Sequence, residues 1–277
     1  MGGGSYSSLS RTVRATSLGY DTKSAREIFT AATINSAMNP YGVQLREARD
    51  SIEHPESFAI ILALDLTGSM GSVPHYLVRE GLPKIMQTII DGGILHPQLL
   101  FLGVGDHECD RAPLQVGQFE SSDALLDKWL TDVYLEGGGG GNAGESYHLA
   151  WYFASKHTAI DCFEKRAKKG ILFTIGDEPV LSNLSKDVIK KIMGDGQYED
   201  YTAAQLLATA REKYNVYHIH NEDSRSGRGV AESWRVLMGN DNVLIAPRHQ
   251  NIVGLISRTT IAVAQESAMP INITATM

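Results

Sequence analysis

The stretch FAIILALDLTGSMG, residues 58–71, constrains this chain more than any other. It opens with an unbroken apolar run, Phe58 to Leu64, of the length and composition of a strand buried on both faces. The run stops at Asp65, and Thr67, Gly68, Ser69, Met70 and Gly71 follow. An amphipathic pattern then begins, with Val73, Leu77, Leu82, Ile85, Met86, Ile89 and Ile90. An acid and two hydroxyls therefore sit on a tight turn between a buried strand and a helix. Side chains on such a turn project from the carboxyl end of a sheet, where α/β proteins bind ligands. Asp65, Thr67 and Ser69 alternate along the turn, so their oxygens converge on one point. Hard cations such as Mg²⁺ take oxygen ligands of this kind.

The rest of the chain alternates in the same way. Apolar strand patterns recur at 99–104, 171–175, 215–219 and 243–246, and helical patterns fall at 73–91, 123–134, 146–157, 185–193, 201–214, 231–238 and 251–265. Strands alternating with helices predict a doubly wound, mostly parallel α/β sheet with helices on both faces. The segment 114–119, LQVGQF, alternates apolar and polar, which predicts one antiparallel edge strand paired back on 99–104 and brings the sheet to six strands. Pro83 falls inside the first helix and predicts a kink. Residues 1–24, rich in Gly, Ser and Thr, are expected to be mobile, a short helix is expected over 24–38, and 41–57 is read as an extended arm. The arm is expected to pack on the domain through Val43, Leu45 and Ile52, with Arg46 and Arg49 paired to surface acids. The organisation expected is an N-terminal segment and arm over 1–56, one domain over 57–265 and a tail over 266–277.

A second strand, 171–175, ends in Gly176-Asp177-Glu178-Pro179. If it neighbours 58–64 at the topological switch point, Asp65 and Asp177 face each other across one crevice. The glycine-rich loop 137–144 forms a third wall, where Asn142 or Glu145 supplies another oxygen. ALDLTGSMG resembles the first metal-site motif of von Willebrand factor A domains, D-x-[S/T]-x-S. FTIGDEP resembles the later aspartate motif of that fold, and GGGGGNAGES resembles a glycine-rich variant of its middle loop. The segment VQLREARDSIEHPES ahead of the first strand resembles that of uncharacterised bacterial and phage proteins of this type. The resemblance implies a Rossmann-like fold over roughly 57–263 with a metal-ion-dependent adhesion site (MIDAS). It makes Asp65, Thr67, Ser69 and Asp177 ligands or their immediate supports. Many members place a threonine ligand in the middle loop. None stands there in this chain, so Asn142, Glu145 or water takes that place.

The expected cofactor is Mg²⁺, with Mn²⁺ or Ca²⁺ as alternatives, because the donors are all oxygen and no cysteine or histidine pattern competes. The expected activity is non-enzymatic: the bound cation grips an Asp or Glu presented by a protein partner. The alternative is a Mg²⁺-dependent phosphotransferase of the haloacid dehalogenase type with Asp65 as nucleophile, since Asp65-Leu-Thr-Gly-Ser resembles D-K-T-G-T. Against it, residue 66 is Leu and no acid stands at residue 67. The glycine loop is not a phosphate-binding loop, because no Lys-Ser/Thr follows it. A net charge of −7 argues against nucleic-acid and anionic-membrane partners. No apolar run approaches the roughly 20 residues of a membrane span, the N-terminus lacks the apolar core of a secretory signal, and Cys109 and Cys162 have no metal or redox spacing. A cytoplasmic setting is the expectation. The oligomeric state is not legible.

Overall fold

The computed structural model describes residues 4–136, 144–224 and 229–266. The N-terminal part holds α1 (Ser8–Leu18), α2 (Ala25–Ile28) and β1 (Arg46–Ala48). The central part holds β2 (Phe58–Asp65), α3 (Ser72–Tyr76), α4 (Leu82–Asp91), β3 (Pro97–Val104), β4 (Leu114–Val116), α5 (Asp123–Thr131), α6 (Tyr147–Lys156), β5 (Thr158–Ile160), α7 (Asp161–Glu164) and β6 (Gly170–Gly176). Then come β7 (Asn183–Leu184), α8 (Lys186–Met193), β8 (Tyr201–Thr202), α9 (Ala203–Lys213), β9 (Tyr214–Asn221), α10 (Val230–Met238), β10 (Val243–Ala246) and α11 (Asn251–Glu266).

The main sheet runs β10-β9-β6-β2-β3-β4. Every pair is parallel except β3–β4, which is antiparallel. This is the expected six-stranded arrangement with one antiparallel edge. All eight residues of β2 are buried, as a central strand covered on both faces requires. Burying each large side chain of its Ile60-Ile61-Leu62 run contributes about 1.5–3 kcal/mol relative to exposure. β2 pairs with β3 on one side and β6 on the other, so the chain reverses direction of winding between β2 and β6. Asp65 ends β2 and Asp177 follows β6 directly, which puts both acids at the switch point.

Helix boundaries follow local chemistry. Ser122 accepts from Leu125 N–H at the start of α5, Ser185 accepts from Val188 N–H at α8, and Thr202 with Gln205 forms a capping box at α9. Pro83 lies in the first turn of α4, just after a π-turn, Leu77–Gly81, that interrupts the expected helix between α3 and α4. At Gly81, α11 comes so close that an added Cβ would lie 3.1 Å from Val253.

The N-terminal expectations need correction. Residues 8–18 form α1 rather than a mobile stretch, capped by Ser7 and closed by Gly19 at φ 68°. The helix expected over 24–38 breaks into α2 and a 3₁₀ turn, Ser36–Met38. The arm is extended and its β1 pairs in parallel with β5, but Leu45 is 42% exposed and Ile52 fully exposed. Its buried residues are Ala48, His54 and Ser57. Arg49 pairs with Asp161, and Arg166 from the domain pairs with Asp50.

Candidate metal centre

The turn after β2 is built by its own side chains. Leu66 N–H bonds the Val104 carbonyl at 3.0 Å, extending the β2–β3 pairing by one residue. Thr67 then turns the chain, and Gly68–Met70 forms a single 3₁₀ turn. Met70 is fully buried, and its Sδ accepts from Asn221 Nδ2 at the end of β9, at 3.6 Å. Gly68 and Ser69, between these anchors, are exposed.

Asp65 is inaccessible. Its Oδ1 accepts from Thr67 N–H at 2.9 Å and from Thr67 Oγ1 at 2.6 Å, and its Oδ2 accepts from Tyr147 Oη at 2.8 Å. Ser69 Oγ lies 3.5 Å from Thr67 Oγ1 and donates to Asp177 Oδ1 at 3.1 Å. The order is thus Tyr147, Asp65, Thr67, Ser69, Asp177. Each hydroxyl proton is directed at a carboxylate, which leaves the lone pairs of both hydroxyls available to a further acceptor-seeking group. Asp177 Oδ2 is buried without a hydrogen-bond partner.

The electrostatics of this cluster are those of acids lacking a counter-charge. Burial, with a smaller push from Asp177, raises the Asp65 carboxyl to about 7 against the bonds from Thr67 and Tyr147. Glu145 is raised to about 9, by burial first and then by Asp65, Asp110, Asp106 and Glu178. Its backbone is fixed beside the segment after Asp177: Glu145 N–H bonds the Pro179 carbonyl, and Leu181 N–H bonds the Glu145 carbonyl. Glu145 Oε2 is also buried and unpartnered. A buried carboxylate oxygen with no donor is costly, and a cation offsets both that cost and the mutual repulsion. The donor set fits a hard divalent ion on these grounds.

Asp65, Thr67, Ser69 and Asp177 are therefore brought together. Glu145 joins them through charge, with no hydrogen bond to the other four. Asn142 lies outside the described residues, as does most of the glycine loop. Among the described residues, no three of His, Cys, Asp and Glu are grouped so as to hold a metal, so the four-oxygen set of two acids and two hydroxyls is the candidate. His218 stacks on Trp234 at 3.6 Å between ring centroids and bonds Thr174 at 3.0 Å. The acidic loop after β3 is largely satisfied within itself: Asp106 accepts from Glu108 N–H, Asp110 accepts from Asp106 N–H, and His107 bonds Ser146.

Sequence reasoning missed Tyr147, Gly176 and Asn221. A tyrosine in an otherwise apolar buried helix needs a partner for its hydroxyl, and that was the available signal. Gly176 makes the Tyr147 position possible, because a Cβ there would stand 1.7 Å from Tyr147 Oη.

No protein-family model matches the chain, and no curated protein does. Among solved structures it aligns with the SpaC pilus adhesin of Lactobacillus rhamnosus GG at TM-score 0.50 and 9% identity, over 76% of this chain and 30% of the adhesin. The likeness shows the fold alone: the six-stranded, mostly parallel sheet with one antiparallel edge that the von Willebrand factor A resemblance implies. The von Willebrand factor domain of the pilus tip protein Mfa5 from Porphyromonas gingivalis aligns at TM-score 0.48 and 8% identity, over 76% of this chain and 96% of that one. Proximal thread matrix protein 1 from the mussel byssus, with zinc in its MIDAS motif, aligns at 0.42 and 13%, over 75% and 48%. At these identities the likeness is one of fold. The chain spans less than a third of the length of SpaC.

Proposed function

We propose that this von Willebrand factor A-type fold is an interaction module that holds a divalent cation and uses it to grip a carboxylate of a protein partner. The observation that carries this reading is the unpartnered, buried Asp177 Oδ2 beside a Ser69–Thr67 hydroxyl pair whose protons are committed to acids. Ser69 and Thr67 hold the ion directly, Asp65 and Asp177 support it, and Asn142, Glu145 or water takes the remaining place. Mg²⁺ is the first choice, and Mn²⁺ and Ca²⁺ share the oxygen preference. With few carboxylates in direct contact the ion keeps part of its charge. An outside Asp or Glu then displaces one water and gains a directional bond, near 2.1 Å for Mg²⁺. We take residues 57–265 as the interaction unit, with 1–56 laid on it. Two free cysteines, exposed Cys109 and buried Cys162, support a reducing compartment. Among the described residues no helix is long and apolar enough to cross a membrane.

The phosphotransferase alternative finds no support. A nucleophilic aspartate needs an accessible oxygen, whereas Asp65 has none, and both its oxygens are taken by Thr67 and Tyr147. The proposed function is tested by capture of a partner on immobilised full-length chain. Binding in Mg²⁺ with release by EDTA is expected, and Thr67→Ala weakens capture while melting in EDTA stays near wild type. A partner held equally well after chelation makes the mechanism wrong.

A further inference from the structure

The helix that follows the candidate metal loop is interrupted where the N-terminal segment touches it. In the π-turn Leu77–Gly81, Leu82 N–H bonds the Leu77 carbonyl, five residues back. Such turns concentrate at functional sites. In that register the next carbonyl, that of Val78, faces residue 83. Residue 83 is proline and has no N–H to give. Val78 is fully buried, so water does not replace the missing donor. Arg11 of α1 does: its Nη2 donates to the Val78 carbonyl.

Arg11 is itself fixed for this task. It is 1% exposed, its Nε lies 2.6 Å from Asp127 Oδ1 in α5, and its guanidinium sits over the Tyr20 ring at 5.3 Å. Arg14 ties the same helix to Asp123 and, at 2.9 Å, to Asp127. Further bonds run from this segment to the same interrupted helix. Ser8 Oγ donates to Gln87 Oε1 at 2.6 Å, Arg79 Nη2 donates to the Asp21 carbonyl at 3.0 Å, and His75 Nε2 lies 3.0 Å from the Lys23 carbonyl. The helix so fastened begins at Ser72, directly after the loop that carries Thr67 and Ser69. Buried Met70 stands between that helix and those hydroxyls.

We propose that residues 8–23 form a strap that sets the geometry of the metal loop, with Arg11 as a positioning residue that supplies the donor Pro83 lacks. The proposal rests on the metal reading above for its functional half and on the Arg11–Val78 contact for its structural half. The test is a cycle of wild type, Arg11→Met, Pro83→Ala and the double variant in the full chain. Urea midpoints are read in EDTA and Mg²⁺ affinity by calorimetry. Arg11→Met is expected to weaken Mg²⁺ binding about tenfold. Pro83→Ala restores an N–H opposite Val78, so adding it to Arg11→Met is expected to bring affinity back to within about threefold of wild type, a rescue that general loss of packing does not produce. Arg11→Lys keeps the charge facing Asp127 but lacks the fork that reaches Val78 as well, so it also loses affinity, and it serves if Arg11→Met does not fold. Wild-type affinity in both Arg11 variants, or effects of Arg11→Met and Pro83→Ala that simply add in EDTA, overturns the proposal. A wild type that binds no Mg²⁺ removes the metal reading and the positioning role together, while the midpoints in EDTA still decide whether Arg11 stands in for the missing N–H.

Discussion

Tyr147 is the residue on which the buried end of the site depends. Its hydroxyl is the donor to Asp65 Oδ2, and its ring packs edge-on against His218 and Trp234 at 5.6 and 5.3 Å. Tyr147→Phe keeps the ring and removes the donor, leaving a buried carboxylate oxygen alone. We expect a loss of about 1–3 kcal/mol, read as a lower urea midpoint in EDTA. A midpoint equal to wild type would show that Asp65 does not need this bond. Gly176→Ala should be worse than Tyr147→Phe, because the new Cβ displaces the ring as well as the hydroxyl. A milder effect of Gly176→Ala in the same assay contradicts that ranking. Asp65, Thr67 and Ser69 were legible in the sequence because their spacing on a strand-to-helix turn is local. Tyr147 was not, since its partner lies 82 residues away and its neighbours read only as apolar.

At the scale of elements, the arm and α1 are held by charge. Asp161 receives bonds from Lys165, from Asp50 N–H and from Arg49, and these outweigh its burial and hold its carboxyl down to about 2 from an ordinary 3.8. A carboxyl lowered on folding stabilises the fold above its unfolded value. Its contribution is therefore complete above about pH 4 and is lost as pH falls through about 2. Asp161→Asn should flatten the wild-type decline in urea midpoint across that window, and an unchanged slope would exclude Asp161 as its source. The arm was legible as an extended segment that packs, but β1 has only three residues, too few for alternation to say which side chains point inward. Leu45 and Ile52 were expected inside by hydrophobicity, and the short Ala48 takes the buried place. The composition of residues 1–24 hid α1 for a related reason. Its Leu9, Val13 and Leu18 are exposed, and the acids that pair with its two arginines, Asp123 and Asp127, lie in α5, far along the chain.

For the whole molecule, the mostly parallel sheet with one antiparallel edge follows from patterns that repeat along the chain: unbroken apolar strands, intervening helices and one alternating edge segment. Those patterns predict parallel pairing, and the ends of β2 and β6 then carry Asp65 and Asp177 to the same edge. Periodicity does not foretell the π-turn, because it depends on a proline and on a side chain from another helix. The central claim is that this edge binds a divalent cation through Asp65, Thr67, Ser69 and Asp177. Calorimetric titration of the full chain with Mg²⁺ at neutral pH, beside Asp65→Ala and Asp177→Ala, tests it most directly. The account predicts one saturable site in wild type and no measurable binding in either variant, with Mn²⁺ behaving alike. Binding of equal affinity in wild type and both variants, or no binding of Mg²⁺, Mn²⁺ or Ca²⁺ to wild type, would contradict it.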